Sequence, residues 1–471
     1  GIDAYVVGGE ASLSGAKLPR FITMGLPEGA VKESKERVTA AIKNSGFKFP
    51  RKHVTINLAP ADIRKEGSAF DLPIAIGILA AMGNVQKEYL DKIMMLGELA
   101  LDGTLRPVKG ALPIAICARD KGIKGVILPE ENAHEAGIVD EVKVVGAKSL
   151  MEVVQILNDE LDKEPVIVDR QELFRSNLHY QLDFTDVKGQ EHVKRALEVA
   201  AAGGHNLIMI GPPGSGKTML SKRIPTILPD LTLEEALQTT KIHSVAGLMP
   251  QGEGIIATRP FRSPHHTISD AGLIGGGAIP RPGEVSLSHN GVLFLDELPE
   301  FKKNVLEVMR QPLEDRVVTI ARAAMTLTYP AQFMLVAAMN PCPCGYATDP
   351  TNECACSAQM IQRYMNRISG PLLDRIDIHI EVPAVSFQEL ADKEEGEPSI
   401  DIQGRVQKAR EVQLSRFKKS GNLFANAQME SQDLKTHCGL DNESSELLRT
   451  AMDKLGLSAR AYDRILKVSR T

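Results

Sequence analysis

The sequence predicts an α/β protein: a three-layer αβα core with a parallel sheet, a mixed α/β domain before it and a helical domain after it. The first observation is a set of near-continuous apolar runs that alternate with helical patterns, at residues 206–210, 291–295, 333–339 and 376–382. The second is the stretch 384–471, where Lys, Glu, Gln and Leu recur at helical spacing. The third is the length of 471 residues, which corresponds to about three domains at roughly 150 residues per domain.

The places where these patterns change set the predicted domain boundaries. The N-terminal part alternates helix-like and strand-like stretches, for example residues 32–44 and 53–58. A polar stretch of weak periodicity follows it. The predicted parts are a mixed α/β domain, a linker, the parallel-sheet core and a helical lid, at residues 1–160, 161–185, 186–383 and 384–471.

The composition excludes several classes of protein. The 55 basic and 60 acidic residues give a net charge of −5, and 43% of the residues are apolar. These values are typical of a globular protein rather than of a disordered or fibrous one. The acidic total argues against a protein that coats nucleic acid through its overall charge. The longest apolar run, Leu72–Met82, is about half as long as a membrane-spanning helix, so we expect no membrane span.

A cytoplasmic location is expected from the start of the chain and from its cysteines. No leader with a basic and then an apolar segment is visible after Gly1. Four of the six Cys residues lie within residues 342–356, whereas Cys117 and Cys438 are isolated. A disulfide framework is unusual in a chain of this size without other secretory signals, so a reducing compartment is favoured.

The motif with the most fixed positions lies between a strand and a helix of the core. It follows the apolar run 207–210 and consists of Gly211, Pro212, Pro213, Gly214, Ser215, Gly216, Lys217 and Thr218. A strand, a glycine-rich loop and a helix in this order form a phosphate-binding loop, whose backbone N–H groups surround phosphates at the positive end of the helix. A chance glycine-rich turn would rarely satisfy all of these positions. We therefore predict an ATP site in which Lys217 reaches the β and γ phosphates and Thr218 holds Mg²⁺.

A second apolar strand, at residues 291–295, ends in the carboxylates Asp296 and Glu297. By itself this pattern is also typical of a buried strand with an acidic end. Beside a phosphate-binding loop it predicts that Asp296 acts on Mg²⁺ through the water shell of the ion, and that Glu297 orients and polarises the attacking water.

Two further polar residues adjoin apolar segments. Asn340 follows the run 334–339, where a γ-phosphate and the attacking water would lie. Arg375 directly precedes another strand, a position suited to reaching the phosphate of a neighbouring subunit. The alternative for Arg375 is an ion pair within the chain, with Asp374 or Asp377.

Residues 186–383 resemble the AAA+ ATPase branch that includes the magnesium-chelatase ATPase subunit and the MCM helicases. The Asn and Arg just named match its sensor 1 and its arginine finger. The resemblance also implies that Arg460, in a Ser-Ala-Arg sequence, is sensor 2 and reaches the nucleotide through the lid, with Arg464 as the near alternative. It implies that residues 187–190, including Val187 and Gly189, pack against the adenine.

Residues 1–150 resemble the proteolytic domain of the Lon family, which has a ribosomal-protein-like α/β fold. The matching stretches are residues 65–69, 95–98 and 122–129. Lon-type chemistry needs a Ser nucleophile and a Lys base within hydrogen-bond reach of it. The family pattern places Ala69 at the nucleophile position, and Ser68 fits it only with a deletion of one residue.

The base of that pair is missing as well. The family pattern places Leu112 where the Lys stands, and Lys109, three residues earlier, would project differently. We therefore expect a proteolytically inactive domain that is structural or guides substrate, and an ATP-dependent protease is the less favoured interpretation.

A Lon-like domain in front of a chelatase-like ATPase is the arrangement of the ComM/YifB family, which the chain resembles over essentially its whole length. Matching stretches are residues 25–28, 31–34, 262–266 and 371–377. The family implies a hexameric ATPase that migrates DNA branches and unwinds DNA, aiding integration of incoming single strands in natural transformation. The alternative is a chelatase subunit that drives Mg²⁺ insertion into a porphyrin. The Lon-like domain favours the first function, since the chelatase ATPase resembles only the latter two-thirds of the chain.

Candidate DNA-binding residues lie in two segments inserted between strands of the core. Residues 255–290 contain three consecutive glycines, Arg262 and Arg281, which suit a flexible loop that lines a pore. Residues 316–328 predict a hairpin that carries Arg322, and a basic residue at the matching position contacts DNA in the MCM relatives. The alternative is that Arg322 pairs with an acidic group of its own subunit. Single-stranded or branched DNA and further copies of the chain are the expected partners.

Four thiols lie close together after the sensor 1 position. They are Cys342, Cys344, Cys354 and Cys356. Four thiolates can bind Zn²⁺ tetrahedrally, but one intervening residue in each pair is tighter than the usual two to four, so Zn²⁺ and metal-free loop thiols both stay open. His265 and His266 are adjacent and would project apart in a strand, which favours loop packing or phosphate contact over a metal site.

Overall fold

The computed structural model describes residues 2–15, 18–27, 29–61, 65, 67–169, 172–173, 180–249, 254–277, 280–322, 325–349, 352–385, 396–418 and 423–471. The chain divides into two compact units. Unit 1 comprises Gly1–Asn177 and Thr240–Ile256, and unit 2 comprises Leu178–Thr239 and Ala257–Thr471. Within the described residues no helix is both long enough and apolar enough to cross a bilayer.

Unit 1 is a mixed α/β unit, as predicted. Its strands are β1 (Gly8–Ser14), β2 (Phe21–Met24), β3 (His53–Ala59), β4 (Ile93–Met95), β5 (Glu98–Leu99), β6 (Leu105–Arg106), β7 (Gly125–Pro129) and β8 (Lys143–Ala147). Its helices are α1 (Gly29–Asn44), α2 (Asp71–Ala81), α3 (Ala111–Asp120), α4 (Glu130–Ala136) and α5 (Leu150–Leu157). They accompany two three-stranded sheets, of order β1-β3-β2 and β4-β7-β8, and a β5–β6 hairpin.

The core of unit 1 lies between its first sheet and helix α2. The predicted strand at residues 53–58 is β3, whose alternate residues Val54, Ile56 and Leu58 are buried, as the period of a strand requires. The longest apolar run of the chain is α2, with buried residues all round because the helix lies inside the unit.

Unit 2 contains the predicted parallel-sheet core and the helical lid. Its strands are β9 (Leu207–Ile210), β10 (Phe261–Arg262), β11 (Gly275–Gly276), β12 (Arg281–Pro282), β13 (Val292–Leu295), β14 (Val317–Arg322), β15 (Met325–Pro330), β16 (Met334–Met339) and β17 (Ile378–Glu381). Its core helices are α6 (Glu191–Gly203), α7 (Lys217–Arg223), α8 (Leu233–Ala246, which continues into unit 1), α9 (Asp270–Ile274), α10 (Glu284–Leu287), α11 (Lys303–Val308), α12 (Arg310–Asp315), α13 (Ala358–Met365) and α14 (Gly370–Leu373). The lid contains α15 (Ser399–Phe417), α16 (Ser431–His437), α17 (Asn442–Leu455) and α18 (Ala459–Ser469).

The central sheet of unit 2 has the order β10-β13-β16-β9-β17, and every pairing in it is parallel. Numbered by their order in the chain and read from the β17 side, these strands are arranged 5-1-4-3-2. All residues of β13 and β16 are buried, so both faces of the sheet are covered. Because the strands run parallel, their carboxyl ends meet at one end of the sheet, which we call the carboxyl edge. The opposite end of the sheet is the amino edge.

The segment Thr240–Ile256, predicted as part of the core, packs with unit 1 instead. The Glu135 side chain accepts hydrogen bonds from the Ser244 hydroxyl and from the Leu112 N–H, the latter at 2.9 Å. The Gly110 N–H donates to the Ser244 carbonyl at 3.2 Å. Such long-range pairing leaves no periodicity in the sequence, which is why the predicted boundaries missed it.

Candidate active site

The phosphate-binding loop connects β9 to α7 at the carboxyl edge. Gly214 and Gly216 have φ angles of 77° and 87°, which a side chain would strain. A Cβ at Gly211 would lie 2.1 Å from the Val382 carbonyl oxygen. Pro213 and Gly214 are exposed at the tip of the loop. The loop therefore has its glycines where the backbone turns or is crowded, and its tip is open to a ligand.

Lys217 is the first residue of α7, and its ammonium group is held inside the loop. Its Nζ donates to the carbonyls of Gly211 and Pro212 at 2.7 and 2.8 Å, and lies 3.4 Å from Asn340 Oδ1. Burial lowers the pKa of Lys217, and the Asp296 carboxylate opposes that shift. The structure thus brings Lys217 and Asn340 together as predicted. The oxygens that contact the Lys217 ammonium are uncharged, and a bound phosphate would supply the negative charge that they lack.

Thr218 and Asp296 lie side by side, as a magnesium site requires. The Thr218 hydroxyl donates to Asp296 Oδ2 at 2.7 Å, across the 78 residues that separate them in sequence. Thr218 is exposed, so its oxygen is accessible from solvent. Hydroxyl and carboxylate oxygens are ligands that Mg²⁺ prefers, so these residues fit the ion that accompanies ATP.

Glu297 follows Asp296 at the end of β13 and is exposed. Its φ of 52° is unusual for a residue with a side chain, and its N–H donates to Asp296 Oδ1 at 2.9 Å. The Glu297 carboxylate lies 3.2 Å from His266 Nδ1, and the His266 ring packs edge-on against Phe301. Sequence reasoning assigned His266 only to loop packing or phosphate contact. The structure makes it the partner of Glu297, the carboxylate that is predicted to orient the attacking water.

The segment before α6 is tied to the phosphate-binding loop by Gln190. The Gln190 side-chain amide donates to the carbonyls of Ser215 and Pro383, each at 2.9 Å. Gly189 has a φ of 62° and is partly exposed, which suits the predicted approach of an adenine. Val187 is wholly buried in the core and offers no surface to a base, so its predicted adenine contact is corrected.

Arg375 lies at the amino edge, away from the phosphate-binding loop of its own chain. It precedes β17, in which Ile378 pairs with Leu207, and its carbonyl accepts from the Asn206 side chain at 2.9 Å. Because β17 has four residues, about 13 Å of strand separate its amino end, beside Arg375, from its carboxyl end. The Arg375 guanidinium pairs with Glu314, and its Nε is buried with no hydrogen-bond partner in the described part of the chain. The expected alternative partners, Asp374 and Asp377, are not the ones observed.

The two arginines of the lid also lie at the amino edge. Arg460 is 3.8 Å from Glu314, the same carboxylate that pairs with Arg375. Arg464 donates to the carbonyls of Leu373 and Ile376 at 3.1 and 2.7 Å. Arg460 therefore does not reach the nucleotide site of its own chain, which corrects the expectation that the lid carries it there.

The predicted DNA-binding arginines differ in their surroundings. Arg262 makes a two-pronged ion pair with Glu284, at 2.6 and 2.7 Å, so its guanidinium is engaged within the chain and its contact with DNA stays a prediction. Arg281 lies in the β11–β12 hairpin, is exposed, and makes no ion pair with the described residues. The predicted hairpin is present as β14–β15, in which Arg322 pairs with Met325 through the backbone, but the Arg322 side chain lies outside the described atoms.

The four predicted thiols converge in the loop after β16. The four Sγ atoms lie within 4.8 Å of one another, and no disulfide joins them. The Sγ atoms of Cys342, Cys344 and Cys354 are 3.3, 3.6 and 3.7 Å apart. A Cβ at Gly345 would lie 2.5 Å from Pro213 Cδ, so the thiol loop packs directly on the phosphate-binding loop.

No Ser–Lys pair is found among the described residues of the Lon-like region of unit 1. The Ser68 hydroxyl donates to the Glu98 carboxylate. Leu112, at the position of the base, is wholly buried, and Lys109 is exposed with its stem over Gly247. Buried Lys65 donates to the Pro60 carbonyl. Proteolytic inactivity of this domain stays a prediction.

The strand order of unit 2 and the contacts around its phosphate-binding loop define an AAA+ P-loop ATPase. Three family models match the chain. Those described as "Magnesium chelatase, subunit ChlI" and "Magnesium chelatase, subunit ChlI C-terminal" match residues 183–390 and 396–471. A third, "Subunit ChlI of Mg-chelatase", matches residues 10–132. Because the family model that matches the N-terminal domain also names the chelatase, this domain distinguishes the DNA motor from the chelatase subunit less sharply than expected.

Curated relatives cover the chain almost completely. Competence protein ComM of Haemophilus influenzae is 46% identical over 479 residues, covering 100% of this chain and 91% of the relative. YifB of Escherichia coli is 45% identical over 456 residues, covering 96% and 87%. The chain therefore belongs to the ComM/YifB family. Lon protease 2 of Bacillus subtilis is 34% identical over 154 residues, covering 30% of this chain and 26% of that protein. The Lon-like part is thus confirmed as a resemblance.

Proposed function

We propose that the chain is the subunit of a homo-hexameric ATPase that acts on DNA, as a branch-migration helicase that promotes integration of incoming single strands in natural transformation. The observation that carries this proposal is the separation of Arg375 from the phosphate-binding loop of its own chain, since β17 and β9 run parallel and place the two at opposite edges. The name of the Haemophilus relative, a competence protein, supports the biological setting.

The chemistry follows from residues at the carboxyl edge. Backbone N–H groups of the loop and the Lys217 ammonium would hold the ATP phosphates. Thr218, and Asp296 through the water shell of the ion, would hold Mg²⁺, which would neutralise charge on the phosphates. Glu297 orients the attacking water, with His266 fixing its carboxylate. Asn340, 3.4 Å from the Lys217 ammonium, adds a polar contact beside the γ-phosphate.

A second chain completes the site in this proposal. Head-to-tail contacts around a ring place the amino edge of one subunit against the carboxyl edge of the next. Arg375 and Arg460 then face the phosphates of the neighbour and exchange Glu314 for phosphate oxygens. The buried Nε of Arg375, which has no hydrogen-bond partner among the described residues, is consistent with a guanidinium whose contacts are completed on assembly.

Mixing inactive subunits tests this arrangement. Lys217→Ala and Arg375→Ala should each abolish ATP hydrolysis alone. When the two are mixed in equal amounts, about a quarter of the sites combine an intact Lys217 with an intact Arg375 from the next subunit, and hydrolysis should return to that level. Arg449→Ala, which removes an exposed arginine paired with Glu446, is the matched control and should hydrolyse ATP normally. A mixture that stays inactive would show that Arg375 serves its own chain.

DNA contact is assigned to Arg322 and Arg281, each on a hairpin of unit 2. Repeated six times in a ring, they would concentrate positive charge on a chain of net charge −5. Arg322→Ala should weaken DNA binding and flatten its dependence on salt, with basal ATP hydrolysis retained. Unchanged affinity in both single variants would remove these hairpins from the proposal.

Magnesium chelation is the second candidate, favoured by the descriptions of the matching family models. The two functions differ in what stimulates hydrolysis. Single-stranded or branched DNA should raise the ATPase rate of the intact chain, and a porphyrin-binding partner should not. Stimulation by the porphyrin-binding partner alone would replace the DNA motor with the chelatase.

We further propose that Cys342, Cys344, Cys354 and Cys356 hold one Zn²⁺. With Zn–S bonds of about 2.3 Å, a tetrahedral site has sulfurs about 3.8 Å apart, close to the 3.3–3.7 Å between three of these Sγ atoms. The Gly345 N–H donates to Cys342 Sγ at 3.2 Å, a hydrogen bond that would stabilise a thiolate bound to a metal ion. Since the loop packs on Pro213, the ion would also fix one wall of the phosphate-binding loop.

Metal analysis tests the zinc site. The purified chain should carry about one Zn²⁺ per subunit, and Cys342→Ser/Cys354→Ser should lose it and hydrolyse ATP more slowly. Cys117→Ser, which alters an isolated thiol in unit 1, is the matched control and should keep its zinc. Wild-type chain that binds no Zn²⁺ after incubation with the ion would leave the cluster as metal-free thiols.

A further inference from the structure

Unit 1 has a basic groove that the proposed ATPase mechanism does not use. Its walls come from the start of β2, the exposed face of α1 and the loop from α1 to β3. Six of its twelve lining residues are cations and none is a carboxylate. The cations are Arg20, Lys35, Lys43, Lys48, Arg51 and Lys52. We call this feature the basic groove.

The charges of the basic groove are exposed and mostly unpaired. All six side chains belong to exposed residues. Lys35 lies 3.6 Å from the Glu36 carboxylate. The other five make no ion pair with the described residues. A concentration of this kind on a chain of net charge −5 favours a polyanionic ligand.

Aromatic side chains lie between the cations. Phe21, Phe47 and Phe49 line the basic groove, and each is partly exposed while its remainder packs on the core of unit 1. Alternating cations and aromatic rings are the pattern by which proteins hold single-stranded nucleic acid, since the cations contact phosphates and the rings stack on bases. The basic groove thus has aromatic side chains beside its cations, which a site for a simple anion would not need.

The size and shape of the basic groove also fit a strand. Its volume is about 1150 Å³, above the roughly 300–1,000 Å³ of a small-molecule pocket. A concave groove directs its cations toward a chain lying inside it, whereas a membrane presents a plane of headgroups that reaches only the rim. We propose that the basic groove of unit 1 is a binding site for single-stranded DNA, separate from the hairpins of unit 2. It needs neither nucleotide nor ring assembly, and so goes beyond the proposed motor.

Charge reversal on the full-length chain tests the proposal. Lys43→Glu/Lys48→Glu/Arg51→Glu should weaken binding of a fluorescent oligothymidylate by roughly 30-fold or more at physiological salt, because three phosphate contacts are lost. The slope of log affinity against log salt should fall by about 2. Lys87→Glu/Lys121→Glu/Lys124→Glu makes the same charge change on exposed lysines of unit 1 outside the groove and should have a small effect. Basal ATP hydrolysis should be unchanged in both.

The stacking part has its own measurement. Phe47→Leu keeps an apolar side chain but removes the ring, and should weaken oligothymidylate binding roughly fivefold or more. Binding of inorganic polyphosphate, which has no bases, should stay unchanged in this variant. Equal loss for both ligands would show that Phe47 only supports the shape of the groove, and would overturn stacking.

Three results would overturn the assignment: unchanged affinity in the groove variant, a loss no greater than in the control, or binding of the groove to phosphatidylserine vesicles in place of DNA. The background Arg281→Ala/Arg322→Ala separates this site from the hairpins, since residual binding there should vanish on groove reversal. If DNA fails to stimulate ATP hydrolysis while groove reversal still abolishes oligothymidylate binding, the motor is wrong and the groove assignment stands.

Discussion

The loop before α7 in unit 2 and the loop before α2 in unit 1 are alike in one respect, since each leads into a helix whose positive end attracts anions. In unit 2 the helix begins with Lys217, and the tip of the loop is open. In unit 1 the helix begins with Asp71, whose buried carboxylate pairs with Arg37 at 2.7 Å and accepts from the Leu99 N–H at 3.3 Å. The chain has filled this helix end with its own anion. A helix N-terminus serves a ligand only where the chain leaves it open.

The largest effect should separate the two loops by activity. Glu297→Gln removes the carboxylate that orients water and should slow ATP hydrolysis by about 10²–10⁴-fold, with ATP binding retained. Ser68→Ala, at the corresponding loop of unit 1, should not change ATP hydrolysis, and neither the wild-type chain nor this variant should cleave casein. Steady-state hydrolysis and nucleotide-binding titrations measure both. Casein cleavage that depends on Ser68 would break the comparison.

A smaller effect should appear in the stability of unit 1 alone. Asp71→Asn removes the charge that Arg37 and the end of α2 face, and should destabilise unit 1 by about 2 kcal/mol, because hydrogen bonds between two charged groups are lost. Hydrogen–deuterium exchange should accelerate in α2 and β3 and stay unchanged in β9 and β16. Equal acceleration in both sheets would mean that the two units unfold together.

The smallest effect concerns pH. Burial raises the pKa of Glu135, against hydrogen bonds from Ser244 and Leu112 that lower it. Because the folded state holds the proton more tightly, this contribution to stability is complete below the ordinary pKa of 4.5 and is lost as pH rises through the folded pKa. Glu135→Gln cannot ionise, so the fall in the unfolding free energy of unit 1 from pH 5 to pH 8 should be smaller in this variant than in the wild-type chain. Denaturant titrations at the two pH values measure it, and an unchanged fall would assign the pH dependence to other groups.

Sequence reasoning succeeded where the signal is local. The phosphate-binding loop has a fixed spacing, and the strand runs that became β9, β13 and β16 are continuous in the chain. It failed where the partner is remote in sequence. The ion pair of Arg262 with Glu284, the burial of Val187 and the contact of His266 with Glu297 depend on how distant segments pack, and no periodicity records such packing.

Arg375 shows both cases in one residue. Its place before a strand was visible, and that place puts it at the amino edge once the sheet is parallel. Its partner Glu314 was not among the expected acids, because α12 reaches it only in the folded unit. Position along an element was predictable, whereas the choice among nearby charges required coordinates.

Because the segment Thr240–Ile256 belongs to unit 1, the two units cannot be separated, or lost in evolution, by a single cut in the chain. The polypeptide passes from one unit to the other three times, so cutting it in the linker does not separate them. In a truncated chain that starts near residue 180, Ser244 would lose its hydrogen bond to Glu135. Gly254 would lose its close packing on the His134 carbonyl, which lies so near that a Cβ at Gly254 would be 3.1 Å from the oxygen. The Lon-like unit is therefore not a detachable prefix. Its loss would require simultaneous change in the segment Thr240–Ile256, which lies within the ATPase part of the sequence.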